Sequence, residues 1–409
     1  MYRVAITGIG IVSCLGNDLK AVGAALRSGE SGIVVDAQRT QLGFRSPLTG
    51  QIRNFDASIL SRKQRKSMPE FAVWAYASAH DALAMADLAA VDIRNDQTGL
   101  LYGCDSSCLA AIEQVEALQE KGETKAIGSG QVFRSMTSSI TMNLNTLLQT
   151  RGACWSLSSA CSSGGHAIGQ AADLIRLGRQ ERMICGGAQE INWQSMCSFD
   201  GLGAFSTRVD KPAAASRPFD AGRDGLIPSG GAATVVLERY DLARKRGASI
   251  FGELLGYGFS SDGGQLSVPS DDGMGRAMLM ALEQSGLFAA EIDYLCAHAT
   301  STVAGDAAEA TNIRSVFGAK TPPVSSLKSM TGHELWMSGA SQAVYSTIMA
   351  QQKFIAANIN YRKPSQATAG LNIIRETIPQ APTKVLCNSA GFGGTNSALV
   401  LDFSRPDEI

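Results

Sequence analysis

Apolar residues along this chain alternate between strand-like runs and helical spacing. Residues 3–9 form an apolar run closed by Gly8 and Gly10, the pattern of a buried strand. Helical spacing follows at Asp18–Arg27, opened by Asn17 or Asp18 as the cap and ended by Gly29. A longer helix is predicted over 69–87, a strand at Thr98–Gly103 and a helix at Leu109–Glu120, followed by a polar loop. The run Ala153–Leu157 predicts another strand. After Gly165 a helix opens, with Ala167, Ile168, Ala171, Ala172, Leu174 and Ile175 at helical spacing. Strands are predicted at Arg182–Gly187 and Ala232–Leu237 and a helix at Glu238–Arg246. Met196–Phe205, rich in Met and aromatics but broken by glycine, predicts a core-lining loop.

At Ile250 the pattern restarts. Ile250–Gly258 is again an apolar run punctuated by glycine, and Tyr294–Ala297 predicts a short strand. Pro323–Lys328, then Gly332-His333, then a helical run to Ala350 copy the strand, polar turn and helix seen around residue 161. Lys384–Gly394 followed by Ala398–Leu401 copies the closing strands of the first half. Strands alternating with helices of this length imply an α/β layered fold. The echo divides the chain into two similar halves, 1–249 and 250–409.

Composition narrows the class. The chain has 409 residues with 36 basic and 37 acidic side chains, so nothing in its overall charge argues for nucleic acid. Its 43 glycines, about one residue in ten against a usual ~7%, cluster at strand ends, where backbone must approach a ligand or another loop. Nine cysteines, an odd number without a CxxC pair, argue against a disulfide framework or zinc site and for a reducing compartment. No run reaches the ~18 apolar residues of a membrane helix, and the expectation is a cytoplasmic protein.

Chemistry gathers at the turns. Cys161 lies between the predicted strand at 153–157 and the helix after Gly165, where the positive end of a helix dipole favours thiolate. An isolated cysteine is more often a small buried apolar residue, so Cys161 needs partners. Of the four histidines, His80 and His166 read as structural, each placed within a helix. His298 and His333 instead enter strand-to-helix turns of the kind Cys161 occupies. Three such turns converge if their strands share one end of a sheet. A Cys-His-Asn hydrolase needs only one imidazole. A decarboxylating condensation uses both, because an enolate oxygen must be held by neutral N–H donors.

Four ordered motifs then carry a resemblance. They are Ser158-Ser159-Ala160-Cys161, Ala297-His298-Ala299-Thr300-Ser301-Thr302, Lys328 with Gly332-His333, and Asn388-Ser389-Ala390-Gly391-Phe392-Gly393-Gly394-Thr395-Asn396. Over essentially the whole chain the sequence resembles the β-ketoacyl-acyl-carrier-protein synthases, in particular the bacterial type I elongating group. The resemblance implies a thiolase fold, two similar halves in one five-layered αβαβα unit, usually a homodimer, with a homologous second subunit as the other arrangement. It implies Cys161 as the acylated nucleophile, with His298 and His333 binding the malonyl thioester. The backbone N–H groups of Cys161 and Phe392 would form an oxyanion hole. Lys328 paired with Glu309 would support the histidines. Thr300 and Thr302 would bind a phosphopantetheine arm that arrives on the acyl carrier protein, with no bound cofactor and no metal. The basic run Arg62-Lys63-Gln64-Arg65-Lys66, otherwise read as a solvated face, would dock that acidic carrier through Arg62, Lys63, Arg65 and Lys66.

Several positions depart from the family pattern. Ala299 replaces a usual glycine, and Ala390 a usual phenylalanine of the glycine-rich loop. In Gly332-His333-Glu334-Leu335-Trp336-Met337-Ser338-Gly339, relatives carry Gly and Ala at 336 and 337. Trp336 is therefore expected to reshape the pocket, the dimer contact or the setting of His333, and to shift acyl preference toward an unsaturated or aryl-primed chain. Two alternatives share the fold. A thiolase would need a second catalytic cysteine in the C-terminal glycine-rich loop, where Cys387 is followed by Asn388-Ser389. A non-elongating partner subunit typically lacks the nucleophile, which this chain keeps.

Overall fold

The computed structural model describes residues 1–404. Its strands are β1 (Val4–Val12), β2 (Ile33–Val35), β3 (Leu48–Gly50), β4 (Thr98–Gly103), β5 (Cys154–Leu157), β6 (Arg182–Gln189), β7 (Gly231–Arg239), β8 (Gly252–Ser261), β9 (Tyr294–Cys296), β10 (Val324–Ser325), β11 (Lys384–Gly391) and β12 (Thr395–Asp402). Strands β2 and β3 form a small separate ribbon. The other ten share one sheet in the order β10-β9-β11-β12-β8-β1-β7-β6-β4-β5. Strands β1, β4, β5, β6 and β7 and strands β8 to β12, each counted one to five along the chain, have the same order, 3-2-4-5-1. The two sets meet where Ala5 and Ile6 of β1 pair with Glu253 and Gly252 of β8.

Helices complete five layers. Glu70–Met85 packs on the outside of β1 and β7, and Gly273–Ser285 on the outside of β8 and β12. Ser163–Arg176 and Ser338–Gln352 pack against each other between the two sets of strands. The close contacts depend on missing side chains. A Cβ on Gly8 or Gly10 would fall about 2 Å from carbonyl oxygens of the helix Glu70–Met85, and one on Gly256 or Gly258 would meet the helix Gly273–Ser285 in the same way. A Cβ on Gly339 would lie 2.4 Å from the Gly165 nitrogen, so the two central helices cross backbone to backbone there. The crossing falls within the first turns that follow Cys161 and His333.

Some local expectations need correction. Met196–Phe205 is not a loop throughout, because Trp193–Gly201 is a helix capped by Asn192, whose side chain accepts the Ser195 N–H. Glu238 belongs to strand β7, and the helix after it is only Tyr240–Lys245. Strand pairing wins at Glu238 because its buried carboxylate is clamped by Arg182, Arg246 and the Thr7 hydroxyl. The polar stretch after residue 121 leads into a helix at Ser139–Leu148.

Candidate active site

Cys161 sits in a single 3₁₀ turn, Ala160–Ser162, at the mouth of the helix Ser163–Arg176. Ala160 is held at φ 45°, a left-handed conformation rarely adopted by a residue with a side chain. The Asp105 carboxylate from the turn after β4 lies near its N–H. The carbonyl of Ser159 accepts from the hydroxyls of Ser162 and of Thr395 in β12. The strain thus lies beside the thiol and is held in place by three surrounding contacts.

His333 faces that thiol, with Nε2 3.1 Å from the Cys161 Sγ. Its backbone is pinned on both sides, its N–H donating to the Ile227 carbonyl and its own carbonyl accepting from Ser229. The His298 ring lies edge-on to His333, with centroids 5.2 Å apart at 88°. His298 Nδ1 is buried and has no hydrogen-bond partner among the described residues. A buried polar atom left this way costs ~1–3 kcal/mol unless something entering the cavity supplies its partner. Burial, then the Lys328 charge, holds both imidazoles well below their ordinary pKa, so both rings are neutral at physiological pH.

The thiol departs from the expectation drawn from the helix dipole. Burial pushes Cys161 up to about 12, although Lys328 and the N–H groups of Phe392 and Cys161 pull it down. Desolvation outweighs the helix terminus here, so the resting group is a neutral thiol within hydrogen-bond reach of His333. The two N–H groups that the resemblance assigns to an oxyanion hole both lie close enough to the sulfur to favour its charged form.

Lys328 and Glu309 are both buried near the rings, but they do not form the expected ion pair. Glu309 instead accepts the N–H groups of His298 at 2.8 Å and Ala299 at 2.6 Å, together with Asn388 Nδ2 at 2.8 Å. It holds the His298 turn. Lys328 is pulled down by burial and supported by the surrounding charge of Glu309 and Glu334. Two further acids escape sequence reasoning. Glu334 is bound by Ser341 and Tyr345, and Asp306 accepts the N–H groups of Phe219 and Ser301, both at positive φ. Asp306 lies within the helix Val303–Phe317, one turn before Glu309, and carries no sequence signal beyond helical spacing.

Thr300 and Thr302 share a 3.1 Å hydroxyl contact, and with His298, His333, Ala390 and Phe392 they line a cavity of about 260 Å³ that opens on Cys161. Phe392 is exposed at the glycine-rich turn between β11 and β12. Trp336 packs in the apolar cluster that contains Cys161. Arg62, Lys63, Arg65 and Lys66 are not at this site. They line a separate surface cleft with Arg134, on and beside a short helix capped by Ser61 and Gln64. Among the described residues no group of His, Cys, Asp and Glu is placed to hold a metal ion.

The model of the β-ketoacyl synthase N-terminal domain matches residues 1–243, and that of the C-terminal domain matches residues 251–362. The chain belongs to the β-ketoacyl synthase family. These are condensing enzymes of the acyltransferase class, built on the thiolase fold. The chain is 40% identical to 3-oxoacyl-[acyl-carrier-protein] synthase 1 of Haemophilus influenzae, over 98% of each chain. It superposes on a β-ketoacyl synthase from Burkholderia phymatum with a TM-score of 0.94 at 35% identity, covering 99% of this chain and 100% of that one. A ketosynthase of a type II polyketide system, solved with its acyl-carrier protein and bound to a hexaketide, matches with a TM-score of 0.88 at 28% identity, over 98% and 99%. Among the described residues of this β-ketoacyl synthase, no helix is long and apolar enough to cross a membrane.

Proposed function

We propose that this chain elongates an acyl group by decarboxylative condensation with malonyl-acyl-carrier-protein, using Cys161 as nucleophile and His298 and His333 as paired neutral donors. The observation that carries the reading is the meeting of one thiol and two uncharged imidazoles at one cavity. In the first step the Cys161 sulfur bonds to the acyl carbon, the carrier thioester breaks, and the thiol proton leaves with the carrier sulfur by way of His333. In the second, the malonyl C–C bond breaks and CO₂ departs. The electron pair passes to the α-carbon, while both imidazoles hold the enolate oxygen. That carbon attacks the acyl thioester, whose oxygen is held by the Cys161 and Phe392 N–H groups, and the cysteine sulfur leaves with the bonding pair and takes up a proton from solvent.

In this reading the halves 1–249 and 250–409 divide the work, the first presenting the nucleophile and the second the donors. Thr300 and Thr302 bind the phosphopantetheine arm of the incoming carrier, and no resident cofactor is needed. Arg62, Lys63, Arg65 and Lys66 form a basic face suited to an acidic carrier protein. A second copy of the chain fits the edge of β5, where Trp155 is exposed; Phe133 and Met136 are exposed in the segment that leads to it. Incubation with acyl-carrier protein should add one acyl mass to Cys161, and Cys161→Ala should abolish it. Malonyl-carrier, and not acetyl-CoA, should then extend the adduct. A wild-type protein that gains no acyl mass would refute the reading.

A further inference from the structure

Aromatic rings gather beside the cavity. Phe199 stacks near-parallel on Phe205, with centroids 6.3 Å apart, and on Phe392 at 6.0 Å, both within the range of favourable ring pairs. Trp336 tilts against the same Phe199 at 6.4 Å. Its indole N–H donates to the Ser106 hydroxyl at 3.1 Å, so the ring is latched to the turn after β4. Leu335, just before it, is held at φ 44°. The ring therefore has a fixed place in the cluster around Cys161.

The space left is small. The cavity of about 260 Å³ includes the His298 and Thr300 side, where the extender must sit. Typical small-molecule sites hold ~300–1,000 Å³. Phe199 and Leu335 line the cavity, and Trp336 packs directly behind them, so the wall cannot yield without moving an indole that is tied by a hydrogen bond.

We propose that Trp336, latched to Ser106 behind the cavity-lining Phe199 and Leu335, limits the depth of the acyl pocket and selects a short, flat acyl group, aryl or conjugated, over a long saturated chain. This rests on the condensing-enzyme reading. A planar group lies along the Phe199 and Phe392 faces, whereas a long alkyl chain must displace the indole. Trp336 acts by shape and takes no part in the bond changes.

The test compares carrier proteins loaded with cinnamoyl, hexanoyl and palmitoyl groups, read as the rate of adduct formation on Cys161 by intact-protein mass spectrometry. Cinnamoyl should transfer about tenfold faster than palmitoyl, with hexanoyl between them. Trp336→Gly should raise the palmitoyl rate by about tenfold, and Ser106→Ala should move it part of the way. Should Trp336→Gly fail to fold, the wild-type ratio and Ser106→Ala decide. Palmitoyl transfer as fast as cinnamoyl in the wild type, or a ratio unmoved by both variants, overturns the proposal. Equal hexanoyl and cinnamoyl rates overturn its preference for flat groups. No adduct with any carrier instead overturns the condensing-enzyme reading, and this proposal with it.

Discussion

In the first half of the chain the turn after β4 carries Asp105, which lies near the Ala160 N–H, and Ser106, which holds the Trp336 indole. In the second half the corresponding turn after β9 carries His298, whose N–H is held in turn by Glu309. The turn after β5 presents Cys161, and the one after β10 leads to Lys328 and His333. The same strand order thus supports one reactive sulfur on one side and two rings with a buried cation on the other. Duplication supplies the framework, and the chemistry comes from what each copy places at the same two turns.

The sharpest way to break this comparison is to remove a ring. His298→Ala or His333→Ala should lower condensation by about 10²–10³-fold, while acylation of Cys161 falls less for His298→Ala, since the ring in hydrogen-bond reach of the sulfur is His333. Because both rings are held below the ordinary imidazole value of 6.5, the condensation rate should stay flat as pH falls from about 7 to 6. The sign for stability follows from the same shift. Unfolded imidazoles bind protons that the folded rings refuse, so the stability they contribute is present above about 6.5 and is lost as pH falls below it. Thermal melts across that interval would show a decline that weakens in a His298→Phe variant.

A smaller effect is expected at the supports. Glu309→Ala strands three buried donors and should cost about 3 kcal/mol in denaturant unfolding, with kcat lowered together with it. The smallest belongs to the surface. Neutralising Arg62 and Lys66 should raise KM for the carrier protein severalfold, more at low salt, and leave kcat nearly unchanged.

Much of this site is legible from residue order. Cys161, His298 and His333 stand at strand ends followed by small residues, and the duplicated sheet then brings those ends together. What stays hidden depends on contacts between distant segments. The resemblance singles out Glu309 as a partner of Lys328, and only the fold shows that it instead gathers three donors, one of them from Asn388. Phe199 reads as part of a loop because Gly201 and Gly203 interrupt its segment, yet Asn192 caps a helix there. A helix dipole beside Cys161 can be foreseen from spacing, whereas the depth of burial that decides the protonation of the resting thiol cannot. Ser106 carries no motif, and only the position of the Trp336 ring gives it a role.

The crossing at Gly165 and Gly339 has a consequence for how such a molecule can change over generations. One methyl on Gly339 would drive into the Gly165 backbone, and one on Gly165 would strike the Ser397 hydroxyl at 2.3 Å. The first, backbone against backbone, would force the central helices apart near the sulfur and the imidazole, though neither glycine meets any reactant. A change at Gly339 would thus disturb the chemistry from a position that no reactant touches.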